Sequence, residues 1–394
     1  FSKATTAAFS AWAQARAKSE FTLFEPTLTR VVELNRQFAT YFPEADHPYD
    51  ALLNQYEPGM KSADVKAIFD ALRPQQVALI KAISERPQVD DSFLHQPFDE
   101  QKQWDFGVEV ISAFGYDWQR GRQDKAPHPF TTGIDFDDVR ITTRVFPGFF
   151  NPAFFSTAHE CGHALYELGI NRKYHQTALG MAASTAVHES QSRMWENLVS
   201  RSLPFWEHFY PRLQEVFPQL QSVSMDNFYK GVNKVQPSLI RVEADEATYN
   251  LHIMLRFELE MAMMEGKVAI NDLPEIWNTM FKEYLGLTPA SDAEGVLQDV
   301  HWSYGILGYF PTYALGNLIS LQLWEKIHQD IPDMECQIRS GKFEGLLTWL
   351  RDNVHAYGRK YEPQDLVQRV TGSKIDPSAY MRYLKQKFSQ IYNL

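Results

Sequence analysis

Apolar residues recur every three to four positions along most of the chain, the spacing of helices that bury one face. Phe9, Trp12 and Ala13 do so near the start; Leu28, Val31, Val32, Leu34 and Phe38 follow behind Pro26, a residue suited to a first helical turn. Val65, Ile68, Phe69 and Leu72 mark a helix opened by Ser62, another runs from Gln75 to Ile83, and Asp99 to Phe114 continues the theme. Between Pro127 and Pro147 the period changes. Val139, Ile141, Thr143 and Val145 alternate with Arg140, Thr142 and Arg144, which predicts strands of a small antiparallel sheet. Helical spacing then returns over 152–168, 181–201, 225–235, 238–265, 272–285, 312–329, 341–355 and 376–390. No repeat, low-complexity tract or linker interrupts the pattern. The expectation is a mainly α fold, one multi-helix domain over 1–394 with a small sheet in its middle.

Composition narrows the setting. The 394 residues carry 38 basic and 49 acidic side chains, a net charge of −11. Such a surface does not favour nucleic acid or anionic lipid, which need basic patches. Two cysteines, Cys161 and Cys336, exclude a disulfide framework and favour a reducing compartment. No stretch approaches the ~18 apolar residues of a membrane span, since Arg256, Glu258 and Glu260 cut the segment 251–264. A cytoplasmic protein without nucleic-acid or membrane partners is expected.

The sharpest chemical signal is His159-Glu160-Cys161-Gly162-His163. Two histidines four apart on a helix share a face and can bind one metal ion from the same side. Glu160 follows the first of them and is placed to take a proton from an attacking water. Apolar flanks at Phe154, Phe155, Ala158, Ala164 and Leu165 bury this helix, and buried polar groups need partners or ligands. A catalytic zinc site wants a third protein ligand. Glu189, in Thr185-Ala-Val-His188-Glu189-Ser190-Gln191, lies on the next predicted helix at a distance that suits an antiparallel return. His188 competes for that role but points about 100° away from Glu189. Glu196, two turns on, is either a support for the ligands or an exposed helix charge. Zinc is the default metal, with cobalt or manganese able to fill the same ligands. Cys161 falls off the ligand face and carries no chemistry.

These residues resemble the carboxypeptidase Taq family of metallocarboxypeptidases. The likeness runs through six ordered motifs: His128-Pro-Phe-Thr131, Asp138-Val-Arg140-Ile-Thr142, His159–His163, His188-Glu-Ser-Gln191, Ile240-Arg241-Val-Glu-Ala-Asp245 and Gly295-Val-Leu-Gln298-Asp299-Val-His301-Trp302. It implies a helical gluzincin-type fold with a deep groove, zinc held by His159, His163 and Glu189, and Glu160 as general base. It also implies a homodimer and a further N-terminal helical segment ahead of Phe1.

The resemblance adds the substrate end. A carboxypeptidase must recognise a free terminal carboxylate, and arginine offers a matching planar fork. Arg241 takes that role, oriented by Asp245; Arg140 and Arg144 on the predicted strands are the alternatives. His301, Tyr309 and Tyr313 lie on a Gly- and aromatic-rich stretch similar to one in related helical zinc peptidases. His301 and Tyr313 are the candidate donors to the oxyanion, with Tyr309 beside the substrate. The expected activity is removal of single residues from peptides with a free C-terminus. The rival readings are a zinc oligopeptidase or endopeptidase with the same metal site, and a non-catalytic helical binding protein with a structural metal.

Overall fold

The structure is a computed structural model that describes residues Phe1–Leu394. The chain forms two compact units, Phe1–Glu85 with Val235–Ala314 and Arg86–Lys234 with Leu315–Leu394.

The first unit is helical. Its helices Ser2–Lys18, Glu25–Ala39, Ser62–Ser84, Tyr249–Glu265 and Leu273–Leu285 follow the apolar stripes, and proline opens both Glu25–Ala39 and Leu273–Leu285. Ser62–Ser84 is a single helix where the sequence suggested two. Pro74 sits inside it, and the buried stripe Phe69, Leu72, Gln76, Leu79 and Ile80 runs straight past. Packing of that stripe outweighs the hydrogen bond that proline removes. Tyr249–Glu265 is buried on nearly every side, through Leu251, Ile253, Met254, Leu255 and Phe257. It also carries Asn250, His252, Arg256 and Glu260 into the interior, and Arg256 and Glu260 need partners there.

The helix predicted from residue 238 begins only at Tyr249. Asp245 is the reason. One of its carboxylate oxygens accepts the Ala247 and Thr248 N–H groups at 2.9 and 3.0 Å, and the other accepts the Gln236 N–H at 2.9 Å. The carboxylate therefore caps the turn before the helix. Arg241–Glu243 is left as a 3₁₀ turn outside it.

The second unit holds the sheet. Strands β1 (Gly121–Lys125), β2 (Thr131–Asp135) and β3 (Asp138–Thr143) lie in the order β1-β3-β2. The β2–β3 pairing is antiparallel, as the alternation suggested, while β1 runs parallel to β3. The sheet is pinned to helix Asn151–Gly169: Thr143 Oγ1 donates to the Ala153 carbonyl at 3.2 Å, and Thr157 Oγ1 lies 3.1 Å from Thr143 Oγ1. That leaves β2 as an edge strand above this helix.

Helix Thr185–Arg193 starts later than the sequence suggested, capped by Ser184, whose hydroxyl accepts the Val187 N–H at 3.0 Å. It runs on as a π-helical turn, Met194–Val199. Such turns rotate the side chains beyond them relative to a regular helix. A Cβ at Gly162 would lie 2.7 Å from the Gln191 carbonyl oxygen and the Ser192 Cα. Only glycine lets Asn151–Gly169 and Thr185–Arg193 approach this closely.

Candidate metal centre

That close approach sets the site. His159 and His163 stand one turn apart on Asn151–Gly169, and Glu189 reaches them from Thr185–Arg193. Glu189 Oε2 lies 3.6 Å from His159 Nε2 and 3.4 Å from His163 Nε2. One donor atom from each of the three residues lies within 4.8 Å of the others. The three predicted ligands are thus brought together.

Each candidate ligand is held from behind. Glu196 Oε2 lies 2.8 Å from His159 Nδ1. Arg193 donates to Glu189 Oε1 at 2.7 Å and to Glu196 Oε2 at 3.2 Å. Ser192 Oγ lies 3.1 Å from Glu189 Oε2. Glu196 is therefore a support, and the π-helical turn that carries it gave no local sign in the sequence. His188 stands behind His163, with the two Nδ1 atoms in hydrogen-bond contact.

The electrostatics suit ligation. Burial alone would raise the Glu189 carboxyl, but Arg193 and then His159 outweigh it and hold the group well below the usual range. Glu196 is held down to about 2, with Arg193 and His159 overcoming its burial. Burial, the largest cause, brings His163 down to about 3, so its imidazole is neutral, as a ligand must be. His159 is depressed by burial but raised further by Glu189 and Glu196. The donor chemistry fits a divalent cation. Two imidazole nitrogens and a carboxylate oxygen converge, and neutral imidazoles would leave three acceptors facing one another with no positive charge between them.

Glu160 is buried on the same helix, and burial raises its carboxyl against the opposing pull of His159 and Thr131. Thr131 Oγ1 donates to Glu160 Oε2 at 2.6 Å. Residue-by-residue reasoning missed Thr131. The signal was its place at the end of His128-Pro-Phe-Thr131. Arg140 is elsewhere: it is exposed on β3 and paired with Asp138 at 2.6 and 2.8 Å. Thr131 pairs in register with Ile141 and Thr132 with Arg140, so Arg140 points to the sheet face opposite Thr131.

The other predicted residues gather within the first unit. Arg241 is buried and donates to Asp299 Oδ1 through Nε at 3.1 Å and Nη2 at 2.8 Å, and to the Tyr249 hydroxyl at 2.9 Å. Asp299 orients it, in place of the expected Asp245, which is spent on the turn described above. Arg256 takes the other Asp299 oxygen at 2.7 Å. His301 Nδ1 is 3.8 Å from Asp299, and the Tyr313 hydroxyl is 3.5 Å from His301 Nε2. The Tyr309 and Tyr313 rings are 5.2 Å apart. Arg241, His301, Tyr309 and Tyr313 thus form one cluster around Asp299.

Residues 1–388 match the family described as carboxypeptidase Taq (M32) metallopeptidase. The chain is 44% identical to thermostable carboxypeptidase 1 of Thermus thermophilus, across 99% of this chain and 78% of that protein. It is 41% identical to carboxypeptidase 1 of Bacillus subtilis, across 100% of this chain and 78% of that one. The crystal structure of an M32 carboxypeptidase from Deinococcus radiodurans superposes with a TM-score of 0.99 at 41% identity, covering 100% of this chain and 80% of the other.

Proposed function

The chain belongs to the carboxypeptidase Taq metallopeptidase family and is a peptide hydrolase, and we propose that it is a zinc carboxypeptidase releasing one residue at a time from free C-termini. The observation that carries this reading is the convergence of His159, His163 and Glu189 beside a buried Glu160. Zinc in that cradle would polarise the scissile carbonyl and acidify a water molecule. Cobalt or manganese would suit the same donors.

Glu160 does the proton work. Its carboxylate accepts the proton of the attacking water and passes it to the leaving amine. Thr131 holds one carboxylate oxygen, which leaves the other to face the reactants. Glu196 and Arg193 keep His159 and Glu189 in place through the cycle. On the substrate side, the reading assigns the terminal carboxylate to Arg241 and the oxyanion to His301 and Tyr313, with Tyr309 beside them. The cluster's chemistry supports this: Arg241 and Arg256 share the single carboxylate of Asp299, so it keeps a net positive charge. A homodimer in the cytoplasm follows the family resemblance.

The test is a defined peptide and its C-terminal amide, each digested with and without a chelator and read by mass spectrometry. The free acid should give a ladder of single-residue losses, and the amide and the chelated sample should stay intact. Internal cuts, or equal rates on the amide, would overturn the carboxypeptidase reading.

A further inference from the structure

We propose that Glu167 and His188 form a relay that fixes which nitrogen of His163 carries its proton, and so sets the metal affinity of the centre. The inference rests on the reading of His159, His163 and Glu189 as metal ligands. It concerns residues behind them, one of which looked from the sequence like a rival ligand.

With both rings neutral, as a bound cation at His163 would require, the geometry leaves one self-consistent arrangement. His188 Nε2 lies 2.7 Å from Glu167 Oε1. An ionised carboxylate only accepts, so His188 Nε2 carries a hydrogen. In the neutral ring the other nitrogen, Nδ1, is then bare. That bare nitrogen meets His163 Nδ1. Two nitrogens in hydrogen-bond contact must share one hydrogen, so His163 Nδ1 supplies it. His163 Nε2 is then left with its lone pair, and it is this nitrogen that faces Glu189 at 3.4 Å. A single carboxylate thus orders two imidazoles in series and aims a lone pair at the metal position.

The two histidine ligands are therefore braced differently. His159 Nδ1 meets a buried carboxylate, Glu196, directly. His163 meets a neutral imidazole, and the carboxylate that orients it stands one ring further out. The side chains of Glu167 and His188 are 27% and 21% exposed, so the outer end of the relay is open to substitution with little disturbance of the core. Without His188 the His163 ring is free to keep its hydrogen on Nε2, and each ion bound must first pull that tautomer over. Glu167 and His188 are positioning residues: neither touches substrate or reacting atoms.

The test uses the full chain and four proteins: wild type, His188→Leu, His188→Asn and Glu167→Ala. Zinc affinity is measured by competition with a chromophoric chelator, the visible spectrum is recorded with cobalt in place of zinc, and the metal-free melting temperature is taken for each. The asparagine side chain of His188→Asn would keep an acceptor oxygen near the former Nδ1; the leucine side chain of His188→Leu would not. His188→Leu should weaken zinc binding about 10–100-fold and alter the cobalt spectrum, with the metal-free melting temperature little changed. His188→Asn should recover most of the affinity, and Glu167→Ala should fall between. The relay is overturned if His188→Leu, or Glu167→Ala should the leucine variant not fold, holds zinc as tightly as wild type. It is also overturned if His188→Asn restores nothing. Wild-type protein that takes up no zinc would overturn the metal-centre reading itself, which separates the two failures.

Discussion

Each unit of this chain buries a cluster of charged and polar side chains, and the two clusters are built on opposite principles. Around Asp299 opposite charges are paired inside the protein: Arg241 takes one carboxylate oxygen and Arg256 the other, with one positive charge left over. Around Glu189 two imidazole nitrogens and a carboxylate oxygen face one another, with the supporting donors placed behind them. The first arrangement holds together as folded through its own ion pairs. The second, on the function proposed above, is completed by a cation from outside. Burial alone therefore does not mark a metal centre; what points to one is a set of interior donor atoms left unbalanced toward a cation.

Three changes test that contrast, from the largest effect to the smallest. Glu160→Gln keeps the shape of the second unit's site and removes its proton acceptor. kcat should fall by about 10²–10⁴ while zinc content and unfolding midpoint stay near wild type. A variant that retained full turnover would place the base elsewhere. Asp299→Ala should show its effect first in stability. It leaves two buried guanidinium groups without their shared anion, which costs on the order of 3–5 kcal/mol in urea unfolding, while zinc remains bound. Unchanged stability would show that the ion pairs to Asp299 do not hold the cluster together.

Glu260 gives the third test, because it is a carboxyl buried beside neutral donors in place of cations. It accepts from the Tyr49 hydroxyl at 2.7 Å, Trp302 Nε1 at 2.8 Å and the Gly308 N–H at 3.0 Å. Burial still prevails over these donors and pushes it up to about 7, whereas Asp299, with two arginines to overcome its burial, is held far below the usual range. Between the ordinary value of 4.5 and about 7, the folded protein keeps a proton that the unfolded chain has released. Stability must then fall as pH rises through that window, by about 3 kcal/mol in the limit set by the shift, and level off above it. Asp245, raised to about 6 by burial, adds to the same slope. Glu260→Gln should flatten the curve in part, leaving the share of Asp245. An equally steep curve in that variant would assign the dependence to other groups.

Much of the fold was legible because it follows from local periodicity. The helix Asn151–Gly169 and the run of β-branched residues in β3 were expected close to where they lie. The misreadings were of two kinds. A side chain bonded across several residues moved a boundary, as Asp245 did for Tyr249–Glu265. Or distant strands chose a partner, as β1 did in pairing parallel with β3. Alternation along a strand says which residues share a face; it does not say which way the neighbouring strand runs.

The same division runs through the sites. The sequence alone determined that His159 and His163 share a face with Glu160 beside them, because 3.6 residues per turn leaves no other outcome for that spacing on a helix. Motif order then named Glu189 as their partner. The tertiary structure alone decided what stands behind each ligand: Glu196 behind His159, His188 and Glu167 behind His163, and Asp299 in place of Asp245 beside Arg241. The hydrogen bonds that link them across elements join residues 21 to 58 apart in the chain. Such contacts are settled by how closely elements pack, here by a glycine that lets two helices meet and a π-helical turn that swings a carboxylate inward. Helical geometry is a property of the local backbone and can be read from spacing. The partner across a packed interface depends on every side chain that fills the space between.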